Sequence, residues 1–315
     1  MEYDIQYIKK NFKDILETDD INDNSNFFEK GGDSFDAIRL MSSLDNDLPI
    51  ITIFENPTPL KLMEYLNGEK ARKFARLIPL KNEKIINHEI NNVFIGVPFG
   101  GGDPTSYKNI FKDNDDFMVY GVDFGDISSD EEYLEKKFES IIAEINKINS
   151  KKIIIYGHCA GASTATYLAS KLNKKNIYLI IGASMPVINP DKSLEESRIT
   201  SNEEWGDYLR SIGGFEGLND KEISGMLTRG RRDHIISNEM YRILLGDKYD
   251  KPVAKILLGD NDPSISHTSK AIDDWKKFLE INEKEIVHEG GHYFLKTHLS
   301  EVEKAIYSYI QKDDE

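Results

Sequence analysis

One cysteine, Cys159, is all the thiol chemistry that 315 residues contain, which excludes an internal disulfide and fits a reducing cytosol. No apolar run approaches the ~20 residues that span a bilayer, and the Met-Glu-Tyr-Asp start lacks the basic-then-apolar order of a signal peptide. The expected location is the cytoplasm, with no membrane partner. Basic side chains are in deficit, 40 Lys and Arg against 55 Asp and Glu, for a formal charge of −15. Such a surface repels phosphate backbones, so no nucleic acid partner is expected. Residues 1–70 alone hold 15 acidic and 7 basic side chains, a balance suited to docking on basic patches of partner proteins. Repeats and low-complexity tracts are absent.

What is present reads as a small module followed by an α/β domain. Ile5, Ile8, Phe12 and Ile15 recur at helical spacing over residues 2–16. Phe27 and Phe28 are expected to anchor the polar loop that follows. Gly31-Gly32-Asp33-Ser34 then leads into a second helix whose predicted apolar face is Phe35, Ile38, Met41 and Leu44. Ser34 sits at that helix's N-terminus, where free N–H groups and the dipole favour a negative group. The tetrapeptide also reads simply as a turn and an N-cap. Thr58 and Pro59 open a further short helix with Leu62, Tyr65 and Leu66.

Beyond a charged, Asn-rich stretch, strands are predicted at Ala75–Leu80, Val93–Val97, Phe117–Val122, Lys152–Tyr156, Asn176–Gly182, Val253–Gly259 and Lys284–His288. Helical patterns alternate with them, one with Leu134, Phe138, Ile141, Ile142 and Ile145 on a face, another with Ile272, Trp275 and Leu279. This alternation predicts a mainly parallel sheet covered on both sides. It lapses only between Met185 and Asp250, where helices alone are predicted, Glu203–Ile212 and Asn219–Met226 among them. That insertion, about 186–250, reads as a lid over a substrate channel or as packing decoration. Trp205 and Phe215 are its candidates for the pocket wall.

The chemistry gathers around Ile153–Gly161. An apolar strand runs into Gly157-His158-Cys159-Ala160-Gly161 and then a helix carrying Ala162, Ala165 and Ala169. This is the pattern of a nucleophile elbow, whose apical residue is held in a strained conformation and flanked by glycines. By itself the pentapeptide is also what a buried filler cysteine would show. A thiol attacking an acyl carbon needs a base, a group that orients the base, and donors for the oxyanion. Asp260 and Asp262 follow the strand Val253–Gly259, and Gly290-Gly291-His292 follows the last strand. The order nucleophile, acid, histidine fits an elbow enzyme. His292 is preferred to His288 and His298 because two glycines let its loop swing over the elbow. Asp262 is preferred to Asp260 because it lies further past its strand. Expected oxyanion donors are the N–H groups of Ala160 and Gly100, with Phe99 the alternative to Gly100. The Pro98-Phe99-Gly100-Gly101-Gly102 loop has neither a Walker lysine nor G-x-G-x-x-G spacing, so it is not expected to bind a nucleotide; no metal site is expected either.

Two resemblances bear on these motifs. Gly31-Gly32-Asp33-Ser34 together with Phe54-Glu55-Asn56-Pro57-Thr58 resembles the acyl or peptidyl carrier domain of nonribosomal peptide and polyketide synthetases. The resemblance implies a small four-helix domain over 1–70 and a covalent 4′-phosphopantetheine on Ser34. Val97-Pro98-Phe99-Gly100, the elbow, Arg231-Arg232-Asp233, Gly259–Pro263 and Gly290–Leu295 resemble the thioesterases of the same assembly lines, especially the type II, editing branch. That implies an α/β-hydrolase fold over 92–315, with 71–91 as linker and first strand, and a Cys159, His292, Asp262 triad. Many chain-terminating members place the acid after the strand that follows the elbow, where this chain has Gly182, Ala183 and Ser184. None is acidic, in keeping with Asp262. The chain departs from type II members in its cysteine and in its fused carrier.

The expected function is transfer of an acyl or peptidyl chain from Ser34 to Cys159 and its release by cyclisation, aminolysis or hydrolysis. The alternatives are editing of misloaded carriers and a non-catalytic docking role. Upstream synthetase modules or adenylation and condensation enzymes, and a phosphopantetheinyl transferase, are the implied partners.

Overall fold

The computed structural model describes residues 3–44, 48, 50–67, 75–81, 91–125, 131–215, 220–265 and 267–312. The chain divides into two compact units, residues 1–72 with 217–228, and residues 73–216 with 229–315. Of the linker expected over 71–91, only 75–81 and 91 fall within the described residues.

Four helices build the N-terminal module: α1 (Ile5–Leu16), α2 (Ser34–Leu44), α3 (Ile51–Glu55) and α4 (Pro59–Asn67). Ile8 and Phe12 of α1 pack with Phe27, Ile53 of α3 and Leu62 of α4. Helix α2 buries Ala37, Leu40, Met41 and Leu44, the i, i+3, i+4, i+7 stripe of an amphipathic helix. Phe35, expected on that stripe, is instead 53% exposed. Two residues before Ala37 is about 200° around a 3.6-residue helix, which turns Phe35 away from the core.

The second unit is built on one seven-stranded sheet: β1 (Arg76–Pro79), β2 (Asn92–Val97), β3 (Phe117–Asp123), β4 (Lys152–His158), β5 (Ile177–Gly182), β6 (Val253–Gly259) and β7 (Glu280–Val287). The spatial order is β1-β3-β2-β4-β5-β6-β7. Only β1 runs antiparallel to its neighbour. Parallel strands bury both faces and so read as unbroken apolar runs; Ile153, Ile154, Ile155 and Tyr156 of β4 are all buried.

Their side chains alternate between two layers, as strand geometry requires. Ile153 and Ile155 pack with Phe138 of α5 (Glu131–Lys147) and Ala165 of α6 (Gly161–Lys171). Ile154 and Tyr156 pack with Val302 and Ile306 of the C-terminal helix (Leu299–Gln311). The outcome is the expected α/β-hydrolase architecture. Between β5 and β6 lie α7 (Pro190–Ile199), α8 (Asn202–Ser211) and α9 (Asp220–Gly246), with no strand among the described residues of that interval. Strand β7 begins before the expected Lys284; its early residues alternate exposed and half-buried and are polar except for Ile281, which hides the apolar signal. Among the described residues no helix is long and apolar enough to cross a membrane.

Candidate active site

Strand β4 lies between β2 and β5 and delivers the elbow at its C-terminal end. Cys159 has φ 51, the left-handed region that L side chains avoid unless the surroundings enforce it. Its N–H donates to the Gly182 carbonyl at 2.9 Å, which ties the apex to β5. A Cβ on Gly157 would sit 2.6 Å from Ala165 Cβ, and one on Gly161 would sit 2.5 Å from the Val97 and Pro98 carbonyl oxygens. Both flanking positions therefore exclude any side chain. Cys159 itself is half-buried and lines a cavity of about 130 Å³ that His292 also lines.

The acid and the histidine arrive on loops that follow β6 and β7. A Cβ on Gly259 would meet the Gly290 carbonyl oxygen at 2.1 Å, so only glycine lets the loops pass this closely. Asn261 N–H donates to that same carbonyl at 3.0 Å. The approach sets His292 Nδ1 2.9 and 3.1 Å from the two carboxylate oxygens of Asp262. Ser264 joins them, its hydroxyl 2.7 Å from Asp262 Oδ1 and 3.0 Å from His292 Nδ1. The side chains of His292 and Asp262 are 2% and 0% exposed. With Nδ1–H donating to the carboxylate, Nε2 is the nitrogen left to serve Cys159; it is buried and has no other hydrogen-bond partner. The competing residues also pair, but on the surface: His288 Nδ1 lies 2.7 Å from Asp260, with side chains 87% and 36% exposed. His298 Nδ1 lies 2.8 Å from the Thr297 hydroxyl.

The two expected oxyanion donors are neighbours. Gly100 lines the cavity, and a Cβ there would be 3.7 Å from Ala160 Cβ. The next residue, Gly101, has φ 78 and donates its N–H to Asp233 Oδ2 at 2.9 Å. Phe99, the alternative to Gly100, is 3% exposed and packs its ring against His158 and Tyr293.

In the N-terminal module, Asp33 is the cap of α2, accepting from Phe35 N–H at 2.8 Å and Asp36 N–H at 3.0 Å. Asp36 returns the bond to Asp33 N–H at 3.2 Å, a reciprocal cap. Ser34 is thus the first helical residue and is half-buried. A capped helix start that presents a serine beside the exposed Phe35 fits attachment of a phosphodiester-linked arm.

Residues 6–66 match the family described as the phosphopantetheine attachment site. This module is a phosphopantetheine attachment domain. It implies a covalently bound 4′-phosphopantetheine. A segment of 81 residues, 24% of the chain, is 30% identical to gramicidin S synthase 2 of Brevibacillus brevis and covers 2% of that protein's length. Solved structures share the fold of the larger unit. The type II thioesterase BorB from the borrelidin biosynthetic cluster is 18% identical, with TM-score 0.56, over 77% of this chain and 100% of that one. YbtT, the type II thioesterase of the yersiniabactin pathway, is 16% identical with TM-score 0.52 over 75% and 96%. The attachment domain is therefore followed by an α/β-hydrolase fold.

Electrostatics in the larger unit couple the thiol to the imidazole. Burial pushes the Cys159 thiol up, but the His292 charge and the Ala160 N–H outweigh it and hold the thiol below its ordinary value. Burial pushes His292 down, yet Cys159 and Asp262 keep it well above the usual imidazole range. Charge and a side-chain hydrogen bond between the two both favour the ionised pair. Asp262 is opposed by burial but lowered by His292 and Ser264. Thiolate, imidazolium and carboxylate are mutually consistent.

Three contributors escaped the sequence reading. His158, just before the nucleophile, is fully buried and pushed down to about 3 by that burial. Its Nε2 lies 2.8 Å from the His292 carbonyl oxygen and its Nδ1 lies 3.0 Å from the Tyr156 hydroxyl, so Nε2 carries the proton and Nδ1 accepts. The neutral ring thereby pins the backbone of His292. Ser264, two residues past Asp262, and Asp233, within the Arg231-Arg232-Asp233 motif, could have been suspected from those positions. Their contacts, across 28 and 132 residues, were not legible. Of the expected wall residues, Trp205 lines the cavity and Phe215 is not among its lining.

Proposed function

We propose that the chain, with an attachment domain over 1–70 and a hydrolase domain over 92–315, uses Cys159 to take an acyl group from the arm on Ser34 and release it. When bound, the arm supplies a thiol that carries the acyl group as a thioester. The observation that carries the reading is Cys159 at φ 51 in one cavity with a His292 whose Nδ1 is bonded to a buried Asp262. Thiolate Sγ attacks the carbonyl carbon of a thioester, and the oxyanion meets the N–H groups of Ala160 and Gly100. His292 Nε2 gives its proton to the departing thiolate as the carbon–sulfur bond breaks. The acyl-cysteine formed is again a thioester and stays activated. His292, now neutral, takes a proton from water, an alcohol or an amine, which attacks the acyl carbon and regenerates the thiol.

Tethering the attachment domain in the same chain raises the effective concentration of its thioester, which favours reaction in cis. Synthetase modules that load the arm and a phosphopantetheinyl transferase are the partners this reading requires, and the cytosol is its setting. Incubation of the chain, loaded at Ser34 with an acyl thioester, tests it. Intact mass must register an adduct on Cys159 that a Cys159→Ala variant lacks.

A second reading, editing of short misloaded acyl groups, is favoured by the cavity. At about 130 Å³ it is close to the ~150 Å³ that encloses benzene and far below the ~300–1,000 Å³ of drug-sized sites. A single acyl unit fits inside, whereas a peptidyl chain has to extend out of it.

A further inference from the structure

The wall of the Cys159 cavity has a composition that the reaction itself does not require. Met185, Val187, Leu209 and Ile212 supply apolar surface, while Trp205, His234 and Ser237 of the helical insertion supply polar groups. Among the described residues that line it there is no Asp, Glu, Lys or Arg. Acylation consumes the Cys159 thiolate, so a charged acyl group, such as a free aminoacyl ammonium, would then face no anionic side chain in the cavity wall, which is strongly unfavourable.

A purely hydrocarbon group meets the opposite difficulty. Trp205 Nε1–H is buried and has no hydrogen-bond partner. It lies beside the oxyanion loop: a Cβ on Gly230 would be 3.5 Å from Trp205 Nε1 and 3.5 Å from the Gly101 nitrogen. Gly230, on α9, has no side chain to cover that donor of α8. His234 packs against Trp205 with its ring tilted by 55° and the ring centroids 5.0 Å apart, and no hydrogen bond engages its ring among the described residues. Burial holds His234 at about 4, so near neutral pH it is an uncharged ring with one donor and one acceptor nitrogen. An acyl group without hydrogen-bonding capacity leaves the buried Trp205 donor unsatisfied, which is destabilising, and offers the half-buried His234 ring no partner.

We infer that this cavity selects short, uncharged acyl groups bearing a hydrogen-bond acceptor, of the hydroxyacyl, ketoacyl or amide type, with Trp205 and His234 as its specificity-determining residues. The inference rests on the reading that Cys159 is acylated. It disfavours both free aminoacyl groups and plain alkanoyl groups of the same size.

The test offers the full chain three pantetheine thioesters of nearly equal bulk: butyryl, 3-hydroxybutyryl and 2-aminobutyryl. The readout is the rate of Cys159 adduct formation by intact mass, with iodoacetamide alkylation of the same thiol as a control for a folded, reactive site. The expected order is 3-hydroxybutyryl fastest, by about tenfold over butyryl, and 2-aminobutyryl slowest. Trp205→Phe and, separately, His234→Phe are expected to bring the hydroxybutyryl-to-butyryl ratio towards one. Equal rates for the three thioesters overturn the inference, as does a ratio unchanged in both variants. Alkylation without an adduct from any thioester overturns the acylation reading beneath it as well.

Discussion

Replacing Asp262 by asparagine keeps the shape of the carboxylate and removes its charge. The side chain is fully buried, so solvent does not screen what it does to His292. It accepts from His292 Nδ1 at 2.9 and 3.1 Å and is itself held by Ser264, whose hydroxyl and N–H lie at 2.7 and 2.9 Å. Hydrogen bonds to a charged group contribute about 1.5–3 kcal/mol, which at ~1.36 kcal/mol per decade is roughly ten- to hundredfold in the imidazolium population that supports the thiolate. The sign follows from the two shifts. His292 is raised and Cys159 is lowered, so in the wild type the ion pair exists between the two titrations. Without the carboxylate His292 releases its proton at lower pH. The thiol then loses its cation, and its own titration moves up. Because Cys159 is the chain's single cysteine, iodoacetamide alkylation followed by intact mass against pH reads this directly. Asp262→Asn is expected to slow alkylation at pH 7 by about ten- to hundredfold and to move the profile to higher pH. Ser264→Ala, which keeps the charge, is expected to move it less. Superimposable profiles for wild type and Asp262→Asn would refute the coupling.

Gly157→Ala forces a methyl to within 2.6 Å of Ala165 Cβ; overpacking of this kind costs about 1–3 kcal/mol, to be seen as a lower thermal midpoint for the hydrolase unit. Asp233→Ala frees Gly101 N–H and should slow thioester acylation about tenfold while alkylation, which forms no oxyanion, changes little; equal losses in both assays would count against the loop's role. Acidification from about pH 6.5 towards 4 should lower stability, because the unfolded chain binds protons that His158 and His234, held at about 3 and about 4, refuse when folded. His234→Gln should flatten that decline, and an unchanged slope of thermal midpoint against pH would contradict it.

Legibility in the sequence followed how local each constraint is. The elbow could be read because its demands fall within five residues: glycine at 157 and 161, a small helix behind, an apolar strand before. The sheet could be read for the same reason, strand by strand, except at β7, where edge exposure replaced the apolar run with charges. Choosing between Asp260–His288 and Asp262–His292 was harder, since both pairs form on the same two loops. Burial separates them, and burial is a tertiary property. The bond from His158 to the His292 carbonyl spans 134 residues and that from Gly101 to Asp233 spans 132, so no local pattern could carry either. Phe35 shares a spacing of three with Ile38, Met41 and Leu44, which suggests one face, but the helical phase set by the buried Ala37, Leu40, Met41 and Leu44 turns it outward.

The most direct test of the account follows one acyl group along the chain. The protein is pantetheinylated, charged at Ser34 with an acyl thioester, sampled over time, and digested for mass spectrometry. The expected record is loss of the acyl mass from the Ser34 peptide, its transient appearance on the Cys159 peptide, and release of the free product, with a Cys159→Ala variant stalled at the first stage. An acyl group that leaves Ser34 equally fast in wild type and Cys159→Ala, never appearing on residue 159, would contradict the account.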